Sequence, residues 1–418
     1  MPFLEGDSYM KLLYNISLYS YLLLIRIASV FNAKAKLWIT GRRHILDEIN
    51  TRFTENKAPL VWFHCASLGE FEQGRPLIER YKKQYPDHKI LLTFFSPSGY
   101  EIRKNYAGAD YIYYLPLDTA HNARLFIDVV KPVAVFFVKY EFWFNYLDEL
   151  SERKIPTYLV SGIFRNDHYF FKPYGKWFRN QLSSFSHFYL QDVQSEQLLN
   201  RIGYKNTSVS GDTRFDRVNE IAKNVKEIDL VKQFAGNGKV MIAGSSWEED
   251  EKLIASVKFD FKLIIAPHEI DERHIHSIES EFAVKAVCLR YSKANSENIT
   301  TAQVLIIDNI GMLSSLYQYG TIAFIGGGFG KGIHNILEAA TFGLPVIFGP
   351  NYEKFTEAKE LIKLGGAFVV SGVSELEKTL ALLSDEAVLK TASHISRYYV
   401  ESRVGASDRI LEDVKMDV

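Results

Sequence analysis

The sequence predicts an α/β protein made of two Rossmann-like domains, and three observations support this prediction. The chain has 418 residues, which is long for one ordinary domain and typical of two. Short apolar runs alternate with amphipathic stretches in two separate series, the pattern of parallel sheets covered by helices on both faces. A mostly polar segment separates the two series. We therefore expect the ligand to bind in a cleft between the two domains.

Composition narrows the classes of function. Apolar residues make up 47% of the chain and charged residues 24%, enough to build ordinary folded cores. The formal net charge of -1 gives no reason to expect nucleic acid as a partner. The only two cysteines, Cys65 and Cys288, exclude a disulfide framework and fit a reducing cytoplasm.

The N-terminus, residues 1–35, is predicted to form a membrane-associated helix. Residues 9–31 are strongly apolar, but Lys11, Asn15 and Arg26 interrupt them. A clean spanning helix needs about 20 apolar residues without a central charge. The segment therefore fits either a short anchor or a helix lying in the membrane interface, and the alternative is a buried core helix.

Residues 36–216 carry the first series and form the predicted N-terminal domain. A helix is expected at 70–85, after the first strand, and helical patterns separate the later strands. The predicted strands are 59–66, 89–95, 109–117, 132–140 and 155–162.

Residues 238–418 carry the second series and form the predicted C-terminal domain, whose last helix could pack back on the first. Residues 217–237 are polar and helical in pattern and are predicted to be the linker. The second series begins within 238–254 and continues with strands predicted at 261–269, 304–308, 321–328 and 344–350.

Two acidic residues stand where predicted strands end. Glu70 follows Gly69 at the point where the first strand gives way to a helix. A carboxylate there is stabilised by the helix dipole alone, so the position needs no function. Open α/β sheets, however, bind ligands beyond the carboxyl ends of their strands, where Glu70 would be a candidate general base. Glu141 ends a second strand, and two acids at one edge strengthen both assignments.

A glycine-rich stretch, "FIGGGFGKGIHNILEAATFGLPVIFGP" (324–350), is the most informative motif. Glycines let a phosphate approach the backbone, and a helix N-terminus offers free N–H donors. The P-loop is excluded because Gly332, not Ser or Thr, follows Lys331. The dinucleotide fingerprint is excluded because its third glycine is missing.

Three polar residues follow this glycine turn at helical spacing. The helix is predicted to begin near His334, with Glu338 one turn beyond it. Glu338 could accept both hydroxyls of a ribose, while Asn335 contacts a base or sugar. The alternative is a solvated helix start after a glycine turn.

The stretch "GSSWEEDE" (244–251) stands at the equivalent point of the second domain's first strand. Ser246 and Glu249 fit a capping box, which alone would explain both residues. Ser245 and Ser246, with the N–H groups behind them, would equally suit a phosphate.

Three histidines in "PHEIDERHIH" (267–276) raise the question of a metal. No acidic or cysteine ligands stand at a convincing spacing from His268, His274 and His276, so a solvated helix is the preferred interpretation.

Residues 164–181 mix cations with aromatic side chains, a composition that suits a membrane interface with anionic head groups. The alternative is an ordinary amphipathic helix packed on its domain. The cations are Arg165, Lys172, Lys176 and Arg179, and the aromatic residues are Phe170, Phe171, Tyr174, Trp177 and Phe178.

Taken in order, five stretches resemble the signature motifs of bacterial 3-deoxy-D-manno-octulosonic acid (Kdo) transferases. They are "HCASLGEFEQGRPLI", "YLPLDT", "KPVAVFFVKYEFWFN", "GDTRFD" and "GGGFGKGIHNILEAATFGLPVIFGP". The resemblance covers nearly the whole chain, and it implies a GT-B fold whose first domain binds the acceptor and whose second binds the nucleotide-sugar. It also implies an inverting enzyme that needs no metal or other cofactor.

The resemblance assigns roles to individual residues. Glu70 matches the catalytic base of the family, and Glu141 matches its second cleft acid. Asn335 and Glu338 match its CMP-binding positions, and Ser245 and Ser246 match a Ser-Thr pair beside the donor. The other residues that we expect to bind the donor are Pro267, His268, Gly326, Gly327, Gly328, Lys331 and His334. We also expect contacts to the acceptor or its phosphates from Ser67, Gly69, Arg214, Arg165 and Lys172.

The implied reaction transfers Kdo from CMP-Kdo to a lipid A precursor in lipopolysaccharide core biosynthesis. The implied partners are CMP-Kdo, the lipid A precursor and anionic lipids at the cytoplasmic face of the inner membrane, with no nucleic acid. One departure is that Pro267-His268-Glu269 lacks the arginine expected near the phosphate, for which Arg273 or Lys331 could substitute. The alternatives are a GT-B enzyme using a UDP-sugar, a non-hydrolysing nucleotide-sugar epimerase and a non-catalytic lipid-binding protein.

Overall fold

A computed structural model describes residues 3–54 and 56–414 of the chain. The chain divides into two compact units, one made of Met1–Arg217 with Gly405–Val418 and the other of Val218–Val404. Each unit contains one seven-stranded sheet in which the neighbouring strands run parallel. The predicted α/β class with two parallel sheets is thereby confirmed.

The first sheet has the strand order β3-β2-β1-β4-β5-β6-β7. Its central strands, β1 and β4, are buried along their whole length, which is why they form continuous apolar runs in the sequence. The strands are β1 Leu60–His64, β2 Lys89–Phe94, β3 Tyr111–Tyr114, β4 Ala134–Val138, β5 Thr157–Gly162, β6 His187–Leu190 and β7 Thr207–Val209.

Helices cover both faces of this sheet. Their starts follow ordinary capping chemistry; for example, Thr119 Oγ1 accepts from Asn122 N–H, and Asp192 Oδ1 accepts from Ser195 N–H. The helices are α1 Phe3–Ala28, α2 Ala33–Thr40, α3 Ile45–Phe53, α4 Leu68–Gln84, α5 Pro97–Arg103, α6 Ala120–Val130, α7 Phe144–Glu152, α8 Lys176–Gln181 and α9 Val193–Arg201.

The second sheet has the order β10-β11-β9-β8-β12-β13-β14. Its strands are β8 Val240–Ser246, β9 Lys262–Pro267, β10 Cys288–Arg290, β11 Val304–Ile306, β12 Ile322–Ile325, β13 Val346–Phe348 and β14 Ala367–Val369. The remaining helices are α10 Thr213–Lys223, α11 Asp229–Ala235, α12 Glu248–Ser256, α13 Glu272–Phe282, α14 Leu313–Leu316, α15 Leu337–Ala340, α16 Thr356–Leu364, α17 Val373–Ser384, α18 Glu386–Glu401 and α19 Ala406–Asp413.

The predicted linker, residues 217–237, is helical in the structure. It contains most of α10 and all of α11, and the contact boundary between the units falls at its first residue, Arg217. At the other end of the chain, α19 belongs to the first unit, where Asp408 forms an ion pair with Arg80 of α4 at 2.7 Å.

Helix α1 has one packed face and one exposed apolar face. Leu18 is buried against Trp38 and Leu117, and the Tyr14 hydroxyl donates to Asp118 Oδ2 at 2.5 Å. The opposite face exposes large apolar side chains, namely Leu12, Ile16, Leu23, Leu24 and Ile27, and the turn after the helix exposes Val30 and, at 88% of its surface, Phe31. Within the described part of the chain, no helix combines the length and apolarity needed to cross a bilayer.

The aromatic side chains of residues 164–181 are mainly core residues. Phe170 and Trp177 are buried in the cluster beneath α7, and Phe171 and Phe178 pack against it, whereas Tyr174 is exposed. Arg179 donates to two backbone carbonyls of the same segment. The structure therefore favours the packed-helix alternative for this segment over an aromatic membrane interface.

Candidate active site

Glu70 lies in the first turn of α4, directly beyond the carboxyl end of β1. The side chain is half-buried, and its carboxylate accepts a hydrogen bond from the hydroxyl of Ser67, the residue that precedes the helix. Ser67 and Glu70, both predicted as site residues from the sequence, are therefore in direct contact. This contact places a carboxylate at the sheet edge where ligands of α/β proteins bind.

Gly69, between these two residues, has no packing reason to be glycine. A Cβ atom added there would come no closer than 3.8 Å, to Ser67 Oγ. Gly69 is also exposed. The missing side chain therefore leaves the helix start beside Glu70 open to a ligand.

Glu141 follows β4, the strand paired with β1, and is 8% exposed. Its Oε2 accepts a hydrogen bond from Trp143 Nε1 at 2.6 Å and lies 3.3 Å from His64 Nε2. Burial raises the pKa of the Cys65 thiol, and the negative charges of Glu70 and Glu141 raise it further. The structure thus brings both predicted acids within electrostatic reach of one buried thiol.

His64, the last residue of β1, was not predicted as a site residue. It is fully buried, and its Nδ1 lies 2.8 Å from Thr93 Oγ1, which also accepts from Trp62 Nε1 at 2.7 Å. A histidine at the end of an otherwise apolar strand is the sequence signal that could have revealed it. Its partners come from β2 and the loop after β4, so only the sheet order brings them together.

The pKa of Tyr140 is influenced by Glu70 and by two of the predicted cations. Burial raises the pKa of Tyr140, the charges of Arg165 and Arg214 lower it, and Glu70 adds to the rise. Arg214 is held by Asp212 Oδ2 at 2.7 Å, while Arg165 is exposed. The charges of Glu70, Arg165 and Arg214 therefore all act on one half-buried phenol.

Lys172, the remaining predicted cation of the first unit, is half-buried. Its carbonyl accepts from Arg179 Nη1 at 2.9 Å. Among residues 3–54 and 56–414, the structure shows no hydrogen bond or ion pair between the Lys172 ammonium and Tyr140 or Glu70.

In the second unit, the glycine triplet is required by chain packing. A Cβ at Gly326 would stand 2.2 Å from Ser245 O, and one at Gly328 would stand 2.5 Å from Gly349 N. Gly327 has φ +89°, a left-handed conformation that favours glycine. These glycines therefore have a structural explanation before any phosphate is considered.

The helix predicted to begin near His334 begins at Leu337 instead. Gly332, at φ 137°, keeps the chain irregular after the triplet, and Asn335 Oδ1 accepts from Leu337 N–H at 3.1 Å. Asn335 Nδ2 also donates to Glu338 Oε1 at 3.1 Å. His334 and Asn335 thus precede the helix, but the predicted pair of Asn335 and Glu338 is brought together. Lys331 is exposed before this pair.

Two predicted histidines of the second unit stack with a tryptophan that was not predicted. The His268 ring lies 4.7 Å from that of Trp247 and 4.6 Å from that of His334. Trp247 Nε1 donates to His334 Nε2 at 3.2 Å. Burial lowers the pKa of His334, and the neighbouring His268 lowers it further, so the neutral imidazole is favoured. Pro267, which ends β9, brings His268 to this stack.

The capping box predicted from Ser246 and Glu249 is wrong. Asp250 takes the capping role, since its Oδ2 accepts from Trp247 N–H and from Gly327 N–H, both at 2.9 Å. Ser246 donates instead to Glu251 Oε1 at 2.8 Å. Burial raises the pKa of Asp250 to about 6.

Ser245 adopts a left-handed backbone conformation, φ 52°, at a shift in register between β8 and β9. This conformation is uncommon outside glycine and is often found at binding sites. The strained residue stands between Gly244 and Ser246, beside the glycine triplet.

The histidines of α13 form no recognisable metal centre. Within the part of the chain that the structure describes, no group of three histidine, cysteine or acidic residues could hold an ion. His274 is only partly solvated, because its Nε2 lies 2.8 Å from Glu251 Oε2. His276 is exposed.

Solved structures with the same architecture define the fold class. The chain matches UDP-GlcNAc 2-epimerase from Neisseria meningitidis with TM-score 0.61 at 17% identity, covering 84% of this chain and 98% of that one. It matches a glycosyltransferase from Rickettsia africae with TM-score 0.57 at 14% identity, covering 85% and 98%. At these identities the matches show the fold alone, which resembles that of GT-B glycosyltransferases.

Sequence relatives define the family. A family profile described as "3-Deoxy-D-manno-octulosonic-acid transferase (kdotransferase)" matches residues 43–217. The 3-deoxy-D-manno-octulosonic acid transferase of Aquifex aeolicus is 31% identical over 340 residues, 79% of this chain and 88% of that protein. The enzyme of the same name from Haemophilus influenzae is 27% identical over 374 residues, 85% of this chain and 86% of that protein. The chain belongs to the Kdo transferase family of glycosyltransferases, as its motifs predict.

Proposed function

We propose that the protein transfers Kdo from CMP-Kdo to a hydroxyl group of a lipid A precursor, in lipopolysaccharide core biosynthesis. The observation that carries the proposal is the pair of carboxylates, Glu70 and Glu141, at the carboxyl edge of the first sheet in a chain of this family. Arg165 and Arg214, whose charges act on Tyr140 together with that of Glu70, suit an acceptor that carries phosphate groups.

The chemistry is a displacement at the anomeric carbon of Kdo. The acceptor hydroxyl oxygen forms the new bond, the bond from that carbon to the phosphate oxygen of CMP breaks, and the hydroxyl proton passes to a base. Glu70 is the base, because it is the half-buried carboxylate at the open helix start. Attack opposite the leaving group inverts the configuration.

Donor binding is assigned to the second unit. Glu338 accepts the ribose hydroxyls, and Asn335, already bonded to it, fixes the orientation of its carboxylate. The phosphate lies near Ser245, Ser246 and the exposed Lys331. A single phosphate carries less charge than a diphosphate, so backbone N–H groups and one cation suffice and no metal is needed.

A membrane location at the cytoplasmic face of the inner membrane fits this acceptor. The exposed face of α1 offers a row of large apolar side chains, while its other face is fixed to the first unit through Leu18 and Tyr14. Arg26 near the helix end and Arg43 beyond it are both exposed, and they suit anionic lipid head groups.

A single assay separates this function from its alternatives. The protein is incubated with the lipid A precursor and either CMP-Kdo or UDP-sugars, and the products are identified by mass spectrometry. The proposal predicts a mass increase of one or more Kdo units only with CMP-Kdo, and equal transfer with a chelator present. Transfer from a UDP-sugar would identify another GT-B enzyme, and conversion of a UDP-sugar without acceptor would identify an epimerase.

A further inference from the structure

We propose that His64 is a positioning residue for Glu141, which it holds so that only one carboxylate oxygen faces the acceptor. The role rests on the proposed function, because it assigns a task to a buried side chain beneath the acceptor site. His64 is the first residue of the motif "HCASLGEFEQGRPLI", and the resemblance assigns it no role.

The two carboxylate oxygens of Glu141 have different surroundings. Oε2 accepts from Trp143 Nε1 at 2.6 Å and lies 3.3 Å from His64 Nε2. Oε1 makes no hydrogen bond to any residue that the structure describes. Trp143 Nε1 also lies 3.0 Å from His64 Nε2, so the two ring nitrogens and Oε2 form one cluster, and Oε1 is left available for a sugar hydroxyl.

The hydrogen bonds around His64 bear on which of its two ring nitrogens carries the proton. Trp62 Nε1 can only donate, so Thr93 Oγ1 accepts from it and has its own hydrogen left to donate. If that hydrogen goes to His64 Nδ1, the imidazole proton lies on Nε2 and points to Glu141. In this tautomer the hydrogens of Trp62, Thr93 and His64 each have an acceptor. Trp143 Nε1 then donates to Glu141 Oε2, its nearer partner at 2.6 Å, rather than to His64 Nε2 at 3.0 Å. In the alternative tautomer His64 Nε2 is an acceptor, and it competes with Glu141 Oε2 for the single N–H group of Trp143.

The rings of His64 and Trp143 are held in place by packing. His64 is fully buried, and its ring makes an edge contact with that of Trp143 at 5.9 Å. Trp143 in turn packs against Phe95 with ring centres 4.5 Å apart. Neither donor can therefore turn away without disturbing the core, so the direction of the Glu141 carboxylate is fixed before the acceptor binds.

The test compares two amides at position 64. The side-chain N–H₂ group of His64→Gln reaches approximately the place of Nε2 and can donate to Glu141. His64→Asn is one carbon shorter, so it keeps a polar group near Thr93 but cannot reach Glu141. Trp143→Phe removes the second donor while keeping the stack on Phe95, and Thr93→Ser is the matched control that keeps the hydroxyl.

Steady-state kinetics with varied lipid A precursor and varied CMP-Kdo give the readout. We expect His64→Asn and Trp143→Phe each to raise the acceptor KM about tenfold, the effect of losing one hydrogen bond to a charged group. The KM for CMP-Kdo and the CMP affinity should not change. His64→Gln and Thr93→Ser should stay within about threefold of the parent enzyme, by the same reasoning.

Two results would overturn the positioning role. One is an unchanged acceptor KM in both His64→Asn and Trp143→Phe, and the other is equal loss in His64→Gln and His64→Asn, which would mean that the residue only fills space. Unfolding midpoints separate misfolding from a kinetic effect. Absence of Kdo transfer by the parent enzyme would instead refute the proposed function.

Discussion

Replacing Asp250 with alanine should weaken CMP binding, although Asp250 is not one of the residues assigned to the nucleotide. Its side chain is 1% exposed, and its Oδ2 accepts two backbone N–H groups, from Trp247 and from Gly327. The first bond starts helix α12, and the second holds the glycine triplet. Asp250→Ala therefore leaves both N–H groups unpaired, that of Gly327 buried and that of Trp247 partly buried.

The size of the effect follows from opposing contributions. An orphaned buried N–H costs about 1–3 kcal/mol, so two cost roughly 2–6 kcal/mol. Against this, Asp250 itself is costly to bury, since its pKa is raised to about 6 and its Oδ1 has no hydrogen-bond partner. We expect a net loss of about 2 kcal/mol in unfolding free energy. If the triplet moves with the lost bond, CMP affinity should fall roughly 10–30-fold.

Calorimetric titration with CMP and urea unfolding measure the two quantities. Glu249→Ala is the matched control, because Glu249 is exposed on the same helical turn. It should change neither the affinity nor the stability by more than about 0.5 kcal/mol. An Asp250→Ala protein with the CMP affinity of the control would refute the claim that this carboxylate holds the triplet for the donor.

Three further predictions concern other parts of the molecule. Glu338→Ala should cost about 1.5–3 kcal/mol in CMP affinity, the loss of hydrogen bonds to a charged group, and unchanged calorimetry would reject the ribose assignment. Burial raises the pKa of Asp118 to about 7, so its contribution to folding is complete below its unfolded value near pH 4 and is lost as the pH rises through 7. Urea unfolding between pH 5 and 8 should show this decline, and Asp118→Asn should flatten it; equal slopes would contradict it. The double substitution Leu23→Ser and Ile27→Ser, on the exposed face of α1, should reduce sedimentation with anionic liposomes and leave the unfolding midpoint unchanged, whereas undiminished sedimentation would remove α1 from the membrane surface.

Sheet architecture could be predicted where strands are long and fully buried. Strands such as β1 and β4 form continuous apolar runs, and the sequence locates both within two residues at each end. Strands β6, β7, β10 and β14 were not predicted. The last three have three residues each and are incompletely buried, whereas the equally short β11 and β13 are fully buried and form apolar runs in the sequence. The short edge strands become visible only when the neighbouring strands are in place.

The site was predictable where a single residue marks a strand end, as with Glu70 and Glu141. It was not predictable where the contact depends on sheet order: His64 meets Thr93 only because β2 lies beside β1. The start of α15 was placed too early, because Gly332 looks like a turn immediately before a helix. In the fold its left-handed backbone leads into more irregular chain.

The central claim is that Glu70 is the base of the transfer reaction, and Glu70→Gln tests it most directly. Glutamine keeps the shape and can still accept from the Ser67 hydroxyl, but it cannot take the proton of the acceptor. The account predicts that turnover of CMP-Kdo and lipid A precursor falls by roughly 10²–10⁴-fold, with CMP affinity unchanged. Near-normal turnover together with a lowered unfolding midpoint would contradict it and leave Glu70 as a residue that only stabilises the start of α4.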